Sequence, residues 1–126
     1  MEVIATISGT VMKGVLMGRK MGFPTINVAY DSTDLPFGVY ASRVYTSDGV
    51  YKGALHFGPR KVLGLKEPSL EVHLLDFSGD LYGQEVKIEV IEKIRDTQDF
   101  EDMDSLKRQI RYDVDAVRAT DIPLKQ

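Results

Sequence analysis

The stretch VYASRVYTSDGVYKGALHF, residues 39–57, decides the fold. Residues 39–45 and 54–57 are rich in the branched and aromatic side chains that suit strands, and Ser47-Asp48-Gly49 stands between them as a turn signal. Asp-Gly between two strand-like runs indicates a tight hairpin. The same period of two returns on both sides. Val3, Ala5, Ile7, Gly9 and Val11 alternate with mostly polar residues, and residues 70–77 and 86–94 are further strand candidates. Pro36-Phe37-Gly38 and Ser78-Gly79-Asp80 mark turns. Short strands joined by turns, with no helical segment between them, favour an antiparallel sheet closed into a barrel over an open parallel sheet. The period changes once. From about Asp104, Leu106, Ile110, Val114 and Val117 recur at spacings of three and four, with Lys107, Arg108, Arg111, Asp113 and Asp115 on other faces. This pattern predicts an amphipathic helix over about 104–119, capped by Asp104 or Ser105 and ended before Pro123. Residues 60–69 are expected to form a mobile loop, because their apolar residues keep no period and Gly64 and Pro68 interrupt them.

Composition bounds what such a fold can do. A chain of 126 residues, 43% hydrophobic and 28% charged, is long enough for one domain around one core. No linker or repeat divides it, so a single domain over residues 1–126 is expected, with the barrel over about 1–95. The net charge of -3 and pI near 5.3 argue against generic affinity for nucleic acid. No apolar run is long enough to span a membrane, and Met1-Glu2-Val3-Ile4 lacks the basic start and apolar core of a signal peptide, so a cytoplasmic location is expected. With no cysteine, thiol catalysis and cysteine-zinc sites are excluded. Two histidines make a histidine-built metal site a poor fit, so any metal is expected to be a hard cation such as Mg2+, held by a few oxygens and substrate phosphates.

Two segments could carry chemistry. Gly18-Arg19-Lys20-Met21-Gly22 is a glycine-framed basic loop that runs into Phe23-Pro24-Thr25-Ile26-Asn27. The glycines permit close backbone approach, the basic pair supplies positive charge, and Thr25 and Asn27, two apart in an extended segment, aim neutral oxygens the same way. Phosphates and their magnesium ion need that chemistry, although a surface turn with solvated charges has the same pattern. No Walker A spacing is present. The second segment is Glu71-Val72-His73-Leu74-Leu75-Asp76-Phe77, followed by Gly79-Asp80-Leu81-Tyr82-Gly83. On a strand Glu71 and His73 share a face opposite Val72 and Leu74, so Glu71 could accept a proton from a substrate hydroxyl in a cleft. The alternative is a solvated acid on an outer face.

Together these segments resemble the riboflavin kinase family, in particular the kinase module of bacterial bifunctional riboflavin kinase/FMN adenylyltransferases. The resemblance runs through Ser8-Gly9-Thr10-Val11, the loop from Gly18 to Asn27, Gly38-Val39-Tyr40-Ala41, the Glu71 and Gly79 segments, Ile94-Arg95, Phe100, and Leu106, Gln109, Ile110 and Asp113 of the helix, in the family's order. It implies a mainly β fold, a six-stranded antiparallel Greek-key barrel with a C-terminal amphipathic helix. It also implies transfer of the γ-phosphate of ATP to the 5′-hydroxyl of riboflavin, giving FMN and ADP with Mg2+ assistance. On this resemblance Glu71 is the general base, Thr25 and Asn27 hold the metal and phosphate, and Gly18, Arg19, Lys20 and Gly22 cover the nucleotide. Leu74, Phe77, Arg95, Phe100 and Arg118 are assigned to the flavin.

The chain departs from the family pattern at two points. His56-Phe57-Gly58-Pro59-Arg60-Lys61-Val62 keeps the glycine and arginine of an expected Gly-x-Arg-Pro-Thr motif but not its Pro-Thr pair. The adenylyltransferase domain that commonly precedes the module is absent from the sequence, which fits a free-standing kinase or an excised domain, with the adenylyltransferase as a partner domain or a separate downstream enzyme. Other readings are a catalytically silent flavin- or nucleotide-binding barrel and an oligonucleotide-binding barrel. Thr25, Asn27 and Glu71 together argue against the first, and the acidic pI against the second.

Overall fold

The computed structural model describes residues 2–13, 22–60 and 65–124. Its strands are β1 (Ala5–Met12), β2 (Ile26–Ala29), β3 (Gly38–Thr46), β4 (Gly49–Arg60), β5 (Leu65–Leu74) and β6 (Glu85–Arg95), followed by helix α1 (Met103–Ala119). They close into an antiparallel barrel in the order β1-β2-β5-β4-β3-β6. With β3, β4 and β5 forming a meander and β6 returning beside β3, the connectivity is a Greek key.

Period two explains the wall. Ile7 and Val11 of β1, Tyr40 and Val44 of β3, Leu55 and Phe57 of β4, Leu70, Val72 and Leu74 of β5 and Val86, Ile88 and Val90 of β6 all point inward and are buried. Each such aliphatic side chain contributes about 1.5–3 kcal/mol through burial. The β3–β4 hairpin closes through the Thr46↔Gly49 pair, where the Thr46 hydroxyl accepts from the Asp48 and Gly49 amides at 3.0 and 3.1 Å.

The outer face of the barrel carries a second apolar cluster. Ala41 and Leu75 meet Val114 and Val117 of α1 and Ile122 beyond it, with Phe23, Ala54 and Ile110 partly buried alongside. Lys52 Nζ donates to the carbonyls of Arg118 (2.9 Å) and Thr120 (2.7 Å), satisfying the helix C-terminus.

Three sequence expectations need correction. The cap of α1 is Asp102, which accepts from the Ser105 amide at 2.7 Å, rather than Asp104 or Ser105. Residues 65–69 belong to β5 and Arg60 ends β4, so most of the expected 60–69 loop is strand; residues 61–64 lie outside the described residues. Pairing with β4 supplies what the sequence period lacked. β5 ends at Leu74, and Asp76 adopts a positive φ of 60° in the turn that follows. Asp113, off the apolar stripe of the helix, is nonetheless 5% exposed and pairs with Arg95 of the barrel.

Candidate active site

Register builds the site. Asn27 of β2 pairs with Glu71 of β5, and Glu71 pairs on its other side with His56 of β4. Val28, Val72, Leu55 and Phe57 point inward, so Asn27, Glu71 and His56 point outward in one row, with adjacent strands about 4.8 Å apart. Helix α1 partly roofs that row. Thr25, His56, Glu71, His73, Ile110 and Asp113 are among the residues that line a recess of about 20 Å³ between barrel and helix. Glu71 is only 9% exposed, and the Ser69 hydroxyl donates to its Oε2 at 3.3 Å. The solvated-acid alternative therefore does not describe it. His73 shares the recess, and burial pushes its imidazole below the ordinary histidine value.

A larger cleft of about 610 Å³ opens at the barrel end where β1 finishes and β2 begins. Its lining includes Lys13, Thr25, Phe77, Gly79, Asp80 and Tyr82. Lys13 Nζ sits 5.6 Å from the centre of the Tyr82 ring, and the Asp80 carboxylate accepts from the Tyr82 amide at 2.9 Å, shaping the Gly79–Gly83 turn. Thr25 lines both the cleft and the recess. It stands where a group bound in one would meet a group bound in the other.

The structure thus brings Thr25, Asn27 and Glu71 together. Gly18, Arg19 and Lys20 lie outside the described residues. Gly22 is exposed in the turn before Phe23, with a positive φ of 85°. The residues assigned to flavin separate. Leu74 and Phe77 line the cleft, where Phe77 also packs edge-on against Tyr51 at 5.1 Å. Arg95 donates twice to Asp113, both at 2.8 Å, with its guanidinium 5.9 Å from the Phe100 ring. Arg118 pairs with Asp76 at 3.1 and 3.2 Å, an exposed contact that holds the Asp76 carboxyl below its usual range.

Comparison with known proteins completes the assignment. The riboflavin kinase family model (Flavokinase) matches residues 2–120. The chain belongs to the riboflavin kinase family. Among relatives of this family, it is 37% identical over 112 residues to the RNA-binding riboflavin kinase RibR of Bacillus subtilis, covering 88% of this chain and 49% of that protein. It is 40% identical over 115 residues to the bifunctional riboflavin kinase/FMN adenylyltransferase of Haemophilus influenzae, covering 90% of this chain and 37% of that protein. The chain therefore spans half or less of these relatives. Among solved structures, riboflavin kinase from Trypanosoma brucei shares the fold with a TM-score of 0.65 at 24% identity, covering 94% of this chain and 80% of that one. A Streptococcus pneumoniae structure titled as a macrolide-efflux protein superposes with a TM-score of 0.80 at 30% identity, covering 92% of this chain and 39% of that one.

Family membership gives the missed residues a context. Lys13, His56, Asp80 and Asp113 line the cleft or the recess without a role assigned from sequence, although Asp80 and Asp113 sit inside motifs that resemble the riboflavin kinase pattern. His56 carried a signal only as a polar residue within an apolar strand. The donor set also bears on a metal. No three His, Cys, Asp or Glu side chains converge into a metal-holding group among the described residues; the cleft offers the Thr25 hydroxyl, with the Asp80 carboxylate elsewhere in its lining, and Asn27 stands two residues along the same segment, paired with Glu71. Such donors fit a hard cation that takes most of its ligands from phosphates and water.

Proposed function

We propose that this chain is an ATP-dependent riboflavin kinase that transfers the γ-phosphate of ATP to the 5′-hydroxyl of riboflavin, giving FMN and ADP. The observation that carries this reading is Thr25, shared by a cleft of nucleotide size and a recess holding a buried carboxylate. The cleft takes the nucleotide, with Lys13 offering charge and Phe77 and Tyr82 offering flat surfaces. The recess admits the narrow hydroxyl end of the acceptor and is too small for a ring system. Glu71 accepts the hydroxyl proton as that oxygen bonds to the γ-phosphorus. The bond from the γ-phosphorus to the bridging oxygen breaks, and ADP departs. Thr25 and Asn27 would hold Mg2+ against the phosphates, where the cation neutralises charge developing in transfer. Positioning and charge neutralisation account for most of the rate in this chemistry.

Helix α1 lies over the recess that takes the acceptor, and Arg95, Phe100 and Arg118 are the flavin-facing candidates. Gly18, Arg19, Lys20 and Gly22 cover the nucleotide. ATP as co-substrate supports a cytoplasmic site of action, and among the described residues no helix is long and apolar enough to cross a membrane. Substrates rather than nucleic acid are the proposed partners, in keeping with a pI near 5.3. The FMN product would pass to an adenylyltransferase, as a joined domain or a separate enzyme. Incubation with riboflavin, ATP and Mg2+, followed by chromatography, tests the reading. FMN is expected only when nucleotide and divalent metal are both present. Riboflavin binding without FMN formation would instead identify a silent flavin-binding barrel.

A further inference from the structure

His73 ties the phosphate segment to β5 through its side chain, just beyond the last backbone pairs between β2 and β5. β2 and β5 pair through Ile26↔Val72 and Asn27↔Glu71, and one antiparallel step further brings Thr25 opposite His73. The ladder cannot continue past Thr25, because Pro24 has no N–H to donate. At that point His73 Nδ1 lies 2.7 Å from the Pro24 carbonyl oxygen. A carbonyl oxygen only accepts, so Nδ1 carries the proton. Phe23 is held from two sides as well. Its ring meets His73 edge-on, 5.6 Å between centres at 88°, and the Arg111 guanidinium of α1 lies 5.8 Å from its centre.

We propose that His73 is a positioning residue for phosphoryl transfer: its Nδ1–H fixes the Pro24 carbonyl, and through it sets where Thr25 meets the phosphates. The proposal rests on the reading that Thr25 contacts the phosphates. Glu71 and His73 project from the same strand face, two residues apart, so one rigid element carries both the base and the clamp on the metal-binding segment. A shift of about 1 Å at such a segment can cost as much as a hundredfold in rate, which is the lever this bond controls.

Steady-state kinetics of His73→Leu, His73→Asn and Thr25→Ala test it. Leucine fills the space without donating, whereas the asparagine side-chain amide can stand in for Nδ1–H. The expected result is a rise in KM for Mg-ATP of about tenfold in His73→Leu, recovery to within about threefold of wild type in His73→Asn, and little change in KM for riboflavin. Equal impairment in both His73 variants, or none in His73→Leu, overturns the proposal. If Thr25→Ala is impaired and His73→Leu is not, only the His73 proposal falls; if Thr25→Ala leaves Mg-ATP kinetics unchanged, the phosphate reading of Thr25 falls and takes the positioning role with it. Should His73→Leu fail to fold, nitrogen NMR of the unaltered protein at about pH 8, above the ordinary histidine range, decides the bond itself. A protonated Nδ1 is expected there, and a protonated Nε2 with bare Nδ1 overturns it.

Discussion

Glu71 sits where solvated acids are not found, on an outer strand face roofed by α1 and 9% exposed, with Ser69 donating to it. That burial separates a working carboxylate from a solubilising one. A positioned general base contributes about 10²–10⁴-fold in rate, so Glu71→Gln, which keeps shape and removes basicity, should lower kcat by at least about a hundredfold with Mg-ATP affinity and Tm nearly unchanged. Asp76→Asn serves as the control. Asp76 follows β5 with φ at 60°, a conformation asparagine also tolerates, and its partner Arg118 is at the surface. Equal losses in kcat from the two substitutions, measured side by side, would remove Glu71 from the role of base. The identity of this residue was legible in sequence, because period two put Glu71 opposite Val72. Its burial was not, since the roof comes from a helix far along the chain.

At the scale of elements, β2 is the short strand that carries Asn27, and Gly9 of β1 sets how closely it approaches. A Cβ built on Gly9 would lie 2.0 Å from the Ala29 carbonyl oxygen and 2.8 Å from Val28 Cγ1. Backbone cannot give way there without parting β1 from β2. Gly9→Ala should therefore destabilise the protein by about 1–3 kcal/mol and raise KM for Mg-ATP as Asn27 shifts. A thermal melt and Mg-ATP kinetics that match wild type would show that the strands accommodate the methyl group. Elements with a clean period, such as residues 39–45 and Leu106 through Val117, were readable from sequence alone. β2 was recognisable only as an extended segment, because four residues beside a proline carry too little pattern. The first half of β5 was hidden by Gly64 and Pro68, and the row Asn27, Glu71 and His56 depends on the register of three strands, which local sequence does not encode. At the helix start, Asp102, Asp104 and Ser105 are all competent caps, and only backbone geometry chooses Asp102.

For the molecule as a whole, a single closed sheet separates an inner core from an outer cluster, and the candidate site occupies the outer side where α1 lies across the strands. What ties helix to barrel there is polar as well as apolar. Arg95, the last residue of β6, meets Asp113 of α1 through two 2.8 Å bonds, and Gln109 adds a third to the same carboxylate at 3.1 Å. The paired side chains are 16% and 7% exposed, so each charge depends on its partner for the solvation it has lost. Removing one partner of such a pair costs about 3–5 kcal/mol, whereas replacing both by apolar groups of similar volume is often neutral. Asp113→Ala should thus lower the urea midpoint sharply, while Arg95→Met combined with Asp113→Leu recovers most of the loss. Because Asp113 also lines the Glu71 recess, the single variant should lose kcat even at temperatures where it remains folded. A double variant as unstable as the sum of the two single changes would mean that the two residues act independently and their pairing contributes no coupling; a single variant within about 0.5 kcal/mol of wild type would mean that the apolar cluster alone holds α1 over the site.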